Sequence, residues 1–225
     1  MPTPTPAPST ARNPTRWVGL PPEERQAERR ALLMDAALEL LGTAGWSGTS
    51  VRAVCHAARL NPRYFYESFE DLDALIVAVY DRLVEQLGAE VFAAMAAAGT
   101  EGGAPVRAAL DTILRFVEED PRRGRVLYVE ALGSESLNRR RIETAHALVG
   151  VVEQGGAEAH GEPPEGERIG RITAAILVGG AGELVVTWLD GRLDIPRQQL
   201  VDDATELFIA LGDTAAKIAE RRARG

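Results

Sequence analysis

Cysteine, lysine, aromatic residues and long apolar runs are all scarce in this chain of 225 residues. The single cysteine, Cys55, excludes an intramolecular disulfide, so a reducing compartment is expected. The longest apolar run, residues 174–189, is interrupted by Glu183 and three glycines, and it falls short of the roughly 18 residues that cross a membrane. No charged-then-apolar start resembles a secretory signal. These absences predict a cytoplasmic protein with no membrane partner.

Catalytic and metal-binding patterns are missing as well. The three histidines (His56, His146 and His160) lie on separate segments, and neither a His-Glu-x-x-His motif nor a cysteine pair offers metal-ligand spacing. The sequence contains no phosphate-binding loop and no glycine motif of a dinucleotide-binding fold. Acidic pairs such as Asp202–Asp203 are typical of a solvated helix face. We therefore expect no enzyme activity, no metal and no cofactor.

The chain also lacks net positive charge, since its total of −8 at first argues against a nucleic-acid partner. The charge is unevenly distributed along the chain, and this answers the objection. Residues 1–69 carry eight arginines against six acidic residues (+2), whereas residues 70–225 carry 17 basic and 27 acidic residues (−10). Because DNA responds to the local face of a protein, the first third of the chain remains a candidate DNA-binding region.

Apolar residues recur at three- and four-residue intervals along most of the chain, and no window alternates as a half-buried strand does. The pattern predicts an all-α fold. Residues 1–22 hold seven of the 13 prolines and few apolar side chains, which is typical of a disordered arm. The predicted helices cover about 23–44, 51–58, 62–69, 71–95, 106–119, 124–132, 135–154, 167–189 and 196–222, with a polar loop over 155–166.

The stretch from Asn61 to Phe69 has the features of a short helix that is read from outside. Asn61 is a favourable N-cap, and a proline suits the first helical turn that follows it. At 100° per residue, Phe65 and Phe69 share an inward face, whereas Arg63 and Tyr64 are expected to face outward at the start of the helix. A buried aromatic pair beneath an exposed arginine predicts a recognition helix.

The preceding residues supply the other half of a helix-turn-helix. Thr49 or Ser50 is placed to cap a helix over 51–58, and residues 59–61 form the turn. Three residues is a typical length for a turn between two helices that cross steeply.

This region resembles the DNA-binding domain of the TetR family of bacterial transcriptional regulators. The resemblance covers roughly residues 25–85 and is carried by Gly45-Trp46-Ser47-Gly48-Thr49-Ser50, Tyr66, Phe69 and Leu75. Two positions depart from the family pattern. Arg59 stands where a turn glycine is usual and either strains the turn or adds a phosphate contact. Leu72 replaces a common lysine and removes one expected phosphate contact.

The resemblance implies a DNA-binding domain over 23–70, a connecting helix over 71–98, and a helical effector-binding and dimerisation domain over 99–225. The expected partners are a double-stranded operator, a second copy of the chain and a small apolar or amphipathic effector. The expected DNA contacts are Arg29, Arg30, Thr49, Arg52, Arg59, Asn61, Arg63, Tyr64 and Tyr66.

The last two predicted helices are apolar beyond one face, which indicates a dimer interface, although a buried monomeric core is the alternative. The interface residues proposed are Ile176, Gly179, Gly180, Leu207 and Leu211. Glu183 interrupts the apolar run and either contacts an effector, pairs with an arginine across the dimer or faces solvent. The candidate effector-binding residues are Phe116, Tyr128, Glu183 and Trp188.

The sequence therefore predicts a dimeric, ligand-responsive transcriptional regulator, most simply a repressor released from DNA by its effector. The first alternative is a DNA-binding protein without ligand control. The second is a helical enzyme or adaptor whose helix-turn-helix serves protein contacts.

Overall fold

A computed structural model of the chain describes residues 21–130, 134–160 and 166–224. Within these ranges the chain is almost entirely helical and contains no strand, which confirms the predicted all-α fold. The predicted arm over residues 1–22 lies outside the described residues except for its last two positions. Pro22, placed in that arm, is instead the first residue of helix α1.

Three helices form the N-terminal unit: α1 (Pro22–Gly48), α2 (Val51–Ala57) and α3 (Pro62–Tyr66). The two short helices begin at the predicted caps. Ser50 Oγ accepts a hydrogen bond from the Ala53 N–H (3.2 Å), and Asn61 Oδ1 accepts one from the Arg63 N–H (2.9 Å). These bonds satisfy N–H groups that a helix start leaves unpaired. The three helices share one core, with Leu33, Leu41, Val54 and Phe65 fully buried.

Gly45 interrupts α1 with a left-handed backbone (φ 71°, ψ −171°), so the regular helix ends at Ala44, as predicted. A Cβ at this position would lie 3.0 Å from Arg125 Nη2 and 3.1 Å from Glu130 Oε1. Both the backbone angle and the close approach of these side chains therefore require glycine.

Helix α4 (Leu72–Ala98) leads directly from the N-terminal unit into the rest of the molecule. Asp71 Oδ1 caps it by accepting from the Ala74 N–H at 2.8 Å. Its first half buries Leu75 in the N-terminal core. Its second half reaches the next helix, where Glu90 Oε2 pairs with Arg115 Nη2 at 3.1 Å. One continuous helix thus spans both parts of the chain, as expected.

Five further helices complete the described structure: α5 (Ala104–Glu119), α6 (Pro121–Gly124), α7 (Glu135–His160), α8 (Gly166–Leu189) and α9 (Arg197–Ala223). Helix α6 continues into a π-helical turn, Arg125–Val129. The predicted loop over 155–166 is wrong for residues 155–160, which belong to α7. Two glycines there cost a helix only about 1 kcal/mol each, and the helix tolerates them.

A polar bridge joins the end of α1 to the turn after α6. Glu130 Oε2 accepts from the Trp46 N–H (2.9 Å), and Glu130 Oε1 accepts from Arg125 Nε (2.8 Å). Arg125 Nη1 in turn donates to the Thr43 carbonyl at 3.1 Å. This α1–α6 bridge, formed by Thr43, Trp46, Arg125 and Glu130, is a second connection beside α4 that the sequence did not predict.

Helix α8 corrects the prediction that no segment is long and apolar enough to cross a membrane. Within the described residues, Glu167–Leu189 meets that criterion by length and composition, with a mean hydropathy of 1.7. Most of this stretch is not buried against the rest of the chain. Its apolar surface therefore calls for a partner, which is considered below.

Candidate nucleic-acid interface

Helix α3 exposes the side chains of Arg63 and Tyr66 to solvent and buries that of Phe65. The Arg63 side chain is 82% exposed and its Nε lies 2.9 Å from Glu67 Oε1, one turn further along. Tyr66 is exposed and packs edge-on against the buried Phe65, with 5.3 Å between ring centroids. Phe65 in turn lies 5.9 Å from the ring of Phe69. The predicted division into inward phenylalanines and an outward arginine is therefore present.

Two arginines of α1 hold this short helix in place. Arg30 Nη1 donates to the Ser68 carbonyl (3.0 Å), and its guanidinium lies 4.2 Å from the centroid of Phe69. Arg29 lies 4.6 Å from the centroid of Tyr64 and 3.5 Å from Glu67 Oε2. A five-residue helix is too short to be stable alone, so these contacts position it. Glu67, which pairs with both Arg63 and Arg29, was missed although its spacing from Arg63 is visible in the sequence.

Three of the expected DNA contacts are placed differently from the prediction. Thr49 is buried, and its Oγ1 donates to the Gly45 carbonyl at 2.8 Å, so its side chain does not face DNA. Tyr64 is half-buried beneath Arg29 rather than outward-facing. Arg29 is itself mostly covered, because it packs on α3. The side chains left at the surface among the predicted contacts are those of Arg30, Arg52, Arg59, Asn61, Arg63 and Tyr66.

Arg59 adopts a left-handed backbone conformation, with φ 55°. The Leu60 N–H bonds to the Cys55 carbonyl (2.9 Å) and the Arg59 N–H to the His56 carbonyl (3.1 Å). This is the Schellman arrangement that ends many helices and usually places glycine at the left-handed position. The turn therefore contains backbone strain at the residue where the sequence departs from the family pattern.

Replacing Arg59 with glycine should raise the free energy of unfolding by about 1 kcal/mol, because the left-handed conformation costs other residues about 1–2 kcal/mol. Urea denaturation would measure this change. Arg52→Gly is the matched control, since it removes an exposed arginine from regular helix α2 and should lower stability. If Arg59 also contacts phosphate, Arg59→Gly should make the dependence of log affinity on log salt shallower by about 0.9 per contact. If Arg59→Gly leaves the free energy of unfolding unchanged or lowers it, the backbone at Arg59 is not strained.

The four candidate effector-binding residues do not meet around a common cavity. Phe116 is buried beneath Arg123, Trp188 Nε1 donates to the Ile195 carbonyl at 3.0 Å, and Glu183 is exposed. Tyr128 lies 3.7 Å from the position of a Cβ on Gly182. A small apolar pocket lies between α5, α8 and α9, and none of the four residues lines it. Its lining residues are Leu110, Ile113, Leu114, Ala181, Leu184, Val185, Leu200 and Ala204.

The residues proposed for a dimer interface lie at the surface. Ile176 is 54% exposed and Leu207 is 68% exposed. Gly179 is exposed, while Gly180 and Leu211 are partly covered. Large aliphatic side chains with this exposure form an unpartnered apolar face on α8 and α9.

An N-capped helix that carries the exposed Arg63 follows α2 across residues 58–61, and the pair forms a helix-turn-helix, an arrangement that many proteins place against DNA. Residues 33–79 match the family model of bacterial regulatory proteins, tetR family. This match lies within residues 25–85, the region whose resemblance to the DNA-binding domain of the TetR family was seen in the sequence.

Solved structures share the fold of most of the chain. FadR, a fatty acid degradation regulator from Bacillus halodurans, has a TM-score of 0.68 at 15% identity, over 80% of this chain and 94% of that one. A tetR-family transcriptional regulator from Streptomyces coelicolor has a TM-score of 0.66 at 22% identity, over 88% of each chain. A transcriptional regulator from Rhodococcus sp. RHA1 has 0.64 at 20% identity, over 81% and 94%. All three of these proteins are described as regulators, and at identities of 22% or less the similarity establishes the shared fold.

Proposed function

We propose that the chain is a cytoplasmic repressor that binds a palindromic operator as a homodimer and is released by a small-molecule effector. Residues 23–70 would form its DNA-binding domain, 71–98 the connecting helix and 99–225 the effector-binding and dimerisation domain. The observation that carries the proposal is the exposed Arg63 on a short helix that α1 and the Asn61 cap hold in place. A side chain held in this way can be presented repeatedly in one orientation to base edges.

The apolar face of α8 supports the dimer. Ile172, Ile176, Gly179 and Glu183 recur at three- and four-residue intervals, so they lie along one side of the helix. Both isoleucines are exposed, and so is Leu207 on α9. A two-fold dimer would cover this face, and isologous dimers are the commonest protein oligomers. Burial between two copies also accounts for the hydropathy of α8 without a membrane.

Glu183 faces solvent in the single chain, which is one of the three alternatives that the sequence left open. In the proposed dimer it would lie beside the apolar part of the interface. A carboxylate in that place needs a cationic or hydrogen-bonding partner. We therefore propose that Glu183 acts in dimer contact rather than in effector binding.

Removing the Arg63 side chain should weaken operator binding by about 1–3 kcal/mol if it reads a guanine, and should relax sequence preference at one base pair in each half-site. The measurement is fluorescence anisotropy with DNA from upstream of the chain's own gene, at several salt concentrations. Arg221→Ala removes an exposed arginine from the far end of α9 and serves as the control. If Arg63→Ala binds the operator as tightly as the unaltered chain does, α3 does not lie in the DNA interface.

The same titration tests ligand control, because an effector that releases the repressor must bind the DNA-free form more tightly. A 5–150-fold loss of operator affinity needs a coupling free energy of only about 1–3 kcal/mol. Operator DNA must then weaken effector binding by the same factor. Helix α4 and the α1–α6 bridge provide two routes for this coupling, since each joins the helix-turn-helix to the effector half.

A further inference from the structure

The carboxylate of Glu67, the residue that ends α3, pairs with arginines from two helices. Its Oε1 accepts a hydrogen bond from Arg63 Nε of α3 at 2.9 Å, and its Oε2 lies 3.5 Å from Arg29 Nη2 of α1. Each carboxylate oxygen therefore serves one guanidinium. These three side chains run from α1 to the exposed face of α3, and we name them the Arg29–Glu67–Arg63 triad.

The two arginines of the triad differ in exposure. Arg29 is anchored, since its side chain is only 14% exposed and its guanidinium lies 4.6 Å from the centroid of the Tyr64 ring. The Arg63 side chain is 82% exposed, and Glu67 is its only acidic partner in the part of the chain that the structure describes. The anchored arginine thus fixes the carboxylate, and the carboxylate in turn orients an arginine that would otherwise move freely in solvent.

Backbone hydrogen bonds hold Glu67 independently of its side chain. The Glu67 carbonyl accepts from Gln26 Nε2 of α1 at 3.2 Å, and the Glu67 N–H donates to the Arg63 carbonyl at 3.0 Å. The following residue is held in the same way, because the Ser68 carbonyl accepts from Arg30 Nη1. A substitution that changes only the carboxylate at position 67 should therefore leave α3 in place against α1.

The pair between Glu67 and Arg63 adds little to the stability of the fold. Solvent screens an ion pair this exposed, and two long side chains lose freedom when they form it. Its effect is on geometry. An arginine carries one N–H donor on Nε and two on each terminal nitrogen. Because Glu67 binds the Nε–H of Arg63, both terminal nitrogens remain available to a partner outside the protein.

Guanine is the base that matches this arrangement. Its O6 and N7 atoms are two acceptors at the major-groove edge, and a pair of parallel arginine N–H groups binds them together. Adenine presents a donor in place of O6 and repels one of these N–H groups. A base contact through Nε would compete with Glu67, whereas a contact through the two terminal nitrogens leaves the triad intact. A side chain that is already oriented also loses less conformational freedom when it binds.

We propose that Glu67 is a specificity-determining residue that orients Arg63, so that the two terminal nitrogens of the arginine bind O6 and N7 of one guanine in each half-site. Glu67 does not touch DNA and acts through Arg63 as a positioning residue. This inference rests on the proposed function, because it describes how α3 reads the operator. The carboxylate should raise the preference for the operator over other DNA, and not the affinity for DNA in general.

Glu67→Gln should lower the ratio of specific to non-specific affinity by about 3–30-fold, a coupling typical of residues in direct contact. Non-specific affinity should not fall, because the substitution removes a negative charge from the surface that faces phosphate. The probes are a library of duplexes of randomised sequence, whose bound fraction is sequenced to obtain the preferred site, and one unrelated duplex. Fluorescence anisotropy with the preferred site and with the unrelated duplex then gives the ratio.

Glu70→Gln is the matched control. Glu70 is an exposed acidic residue three positions further along, so its substitution removes the same charge without changing the triad. The ratio should keep its value in this variant. The double variant with Arg63→Ala and Glu67→Gln should have the same ratio as Arg63→Ala alone, since Glu67 then has no Arg63 side chain to orient. Replacing the guanine with 7-deazaguanine, which lacks N7, should weaken binding of the unaltered chain and not of Arg63→Ala.

The same measurements separate the role of Glu67 from the reading of DNA by α3. A lower ratio in both Arg63→Ala and Glu67→Gln, with no further loss in the double variant, supports both proposals. A lower ratio in Arg63→Ala alone overturns the role of Glu67 and leaves the DNA-binding role of α3 in place. An unchanged ratio in both variants overturns both proposals.

Two further results would each overturn the role of Glu67. Tighter binding of the preferred site by Glu67→Gln would show that the carboxylate competes with DNA for Arg63. A Glu67→Gln chain that unfolds at a lower temperature and binds all duplexes more weakly by the same factor would show that Glu67 only stabilises the fold. Thermal unfolding followed by circular dichroism, beside the anisotropy titrations, distinguishes these results.

Discussion

Leu207→Asp should convert the proposed dimer into monomers and lower the affinity for a two-half-site operator by about 10²–10⁴-fold, because the second half-site is then no longer held nearby. Leu207 is 68% exposed in the single chain, so the fold of each subunit should tolerate the change. In the dimer the same position would be covered, and two buried carboxylates would face an apolar surface. Sedimentation equilibrium and operator anisotropy measure the two effects.

Ile142→Asp is the matched control for the dimer prediction. Ile142 is an exposed aliphatic residue on α7, a helix that carries none of the proposed interface residues. Its substitution should leave both the mass in solution and operator affinity unchanged. Affinity for a single half-site should be equal in all three proteins. If the Leu207→Asp chain is still a dimer, the two-fold interface does not include the apolar face of α8 and α9.

Phe65→Ala should cost about 3–5 kcal/mol of stability, because it empties the centre of a core formed by α1, α2 and α3. Domains of this size are stable by only about 5–15 kcal/mol, so this variant should lose a large share of its free energy of unfolding. Thermal unfolding followed by circular dichroism would show the loss.

A substitution at the neighbouring Tyr66 tests DNA binding without changing stability. Tyr66 is exposed, and Tyr66→Phe removes only a hydroxyl from the surface. This variant should unfold like the unaltered chain while binding all DNA sequences more weakly, since the family resemblance places Tyr66 against the DNA backbone. Similar losses of stability in both variants would contradict the division of α3 into a buried and a DNA-facing side.

The sequence predicted the helices and their starts because those signals are local. Ser50, Asn61 and Asp71 each cap a helix within three residues of their own position, and the hydrogen bonds are present. Gly45 ended the predicted first helix for an equally local reason, its left-handed backbone. The buried face of α3 followed from spacing within one turn.

Contacts between distant segments were not predictable in the same way. Arg30 is separated from Ser68 by 38 residues, and no periodic pattern indicates that this arginine contacts the residues that follow α3. Trp188 belongs to an apolar helix, but its indole N–H donates a hydrogen bond to the Ile195 carbonyl in the segment that follows α8.

The α1–α6 bridge changes the motions that are available to the helix-turn-helix. A body attached at one joint can swing in any direction, whereas a body attached at two separated points turns freely only about the line between them. Here one attachment is the first half of α4, and the other is the side of α1 where Glu130 holds Trp46 and Arg122 pairs with Glu39. The recognition helix consequently has one easy rotation, and in the proposed dimer a single angle per subunit sets both the spacing of the two helices and their tilt in the grooves.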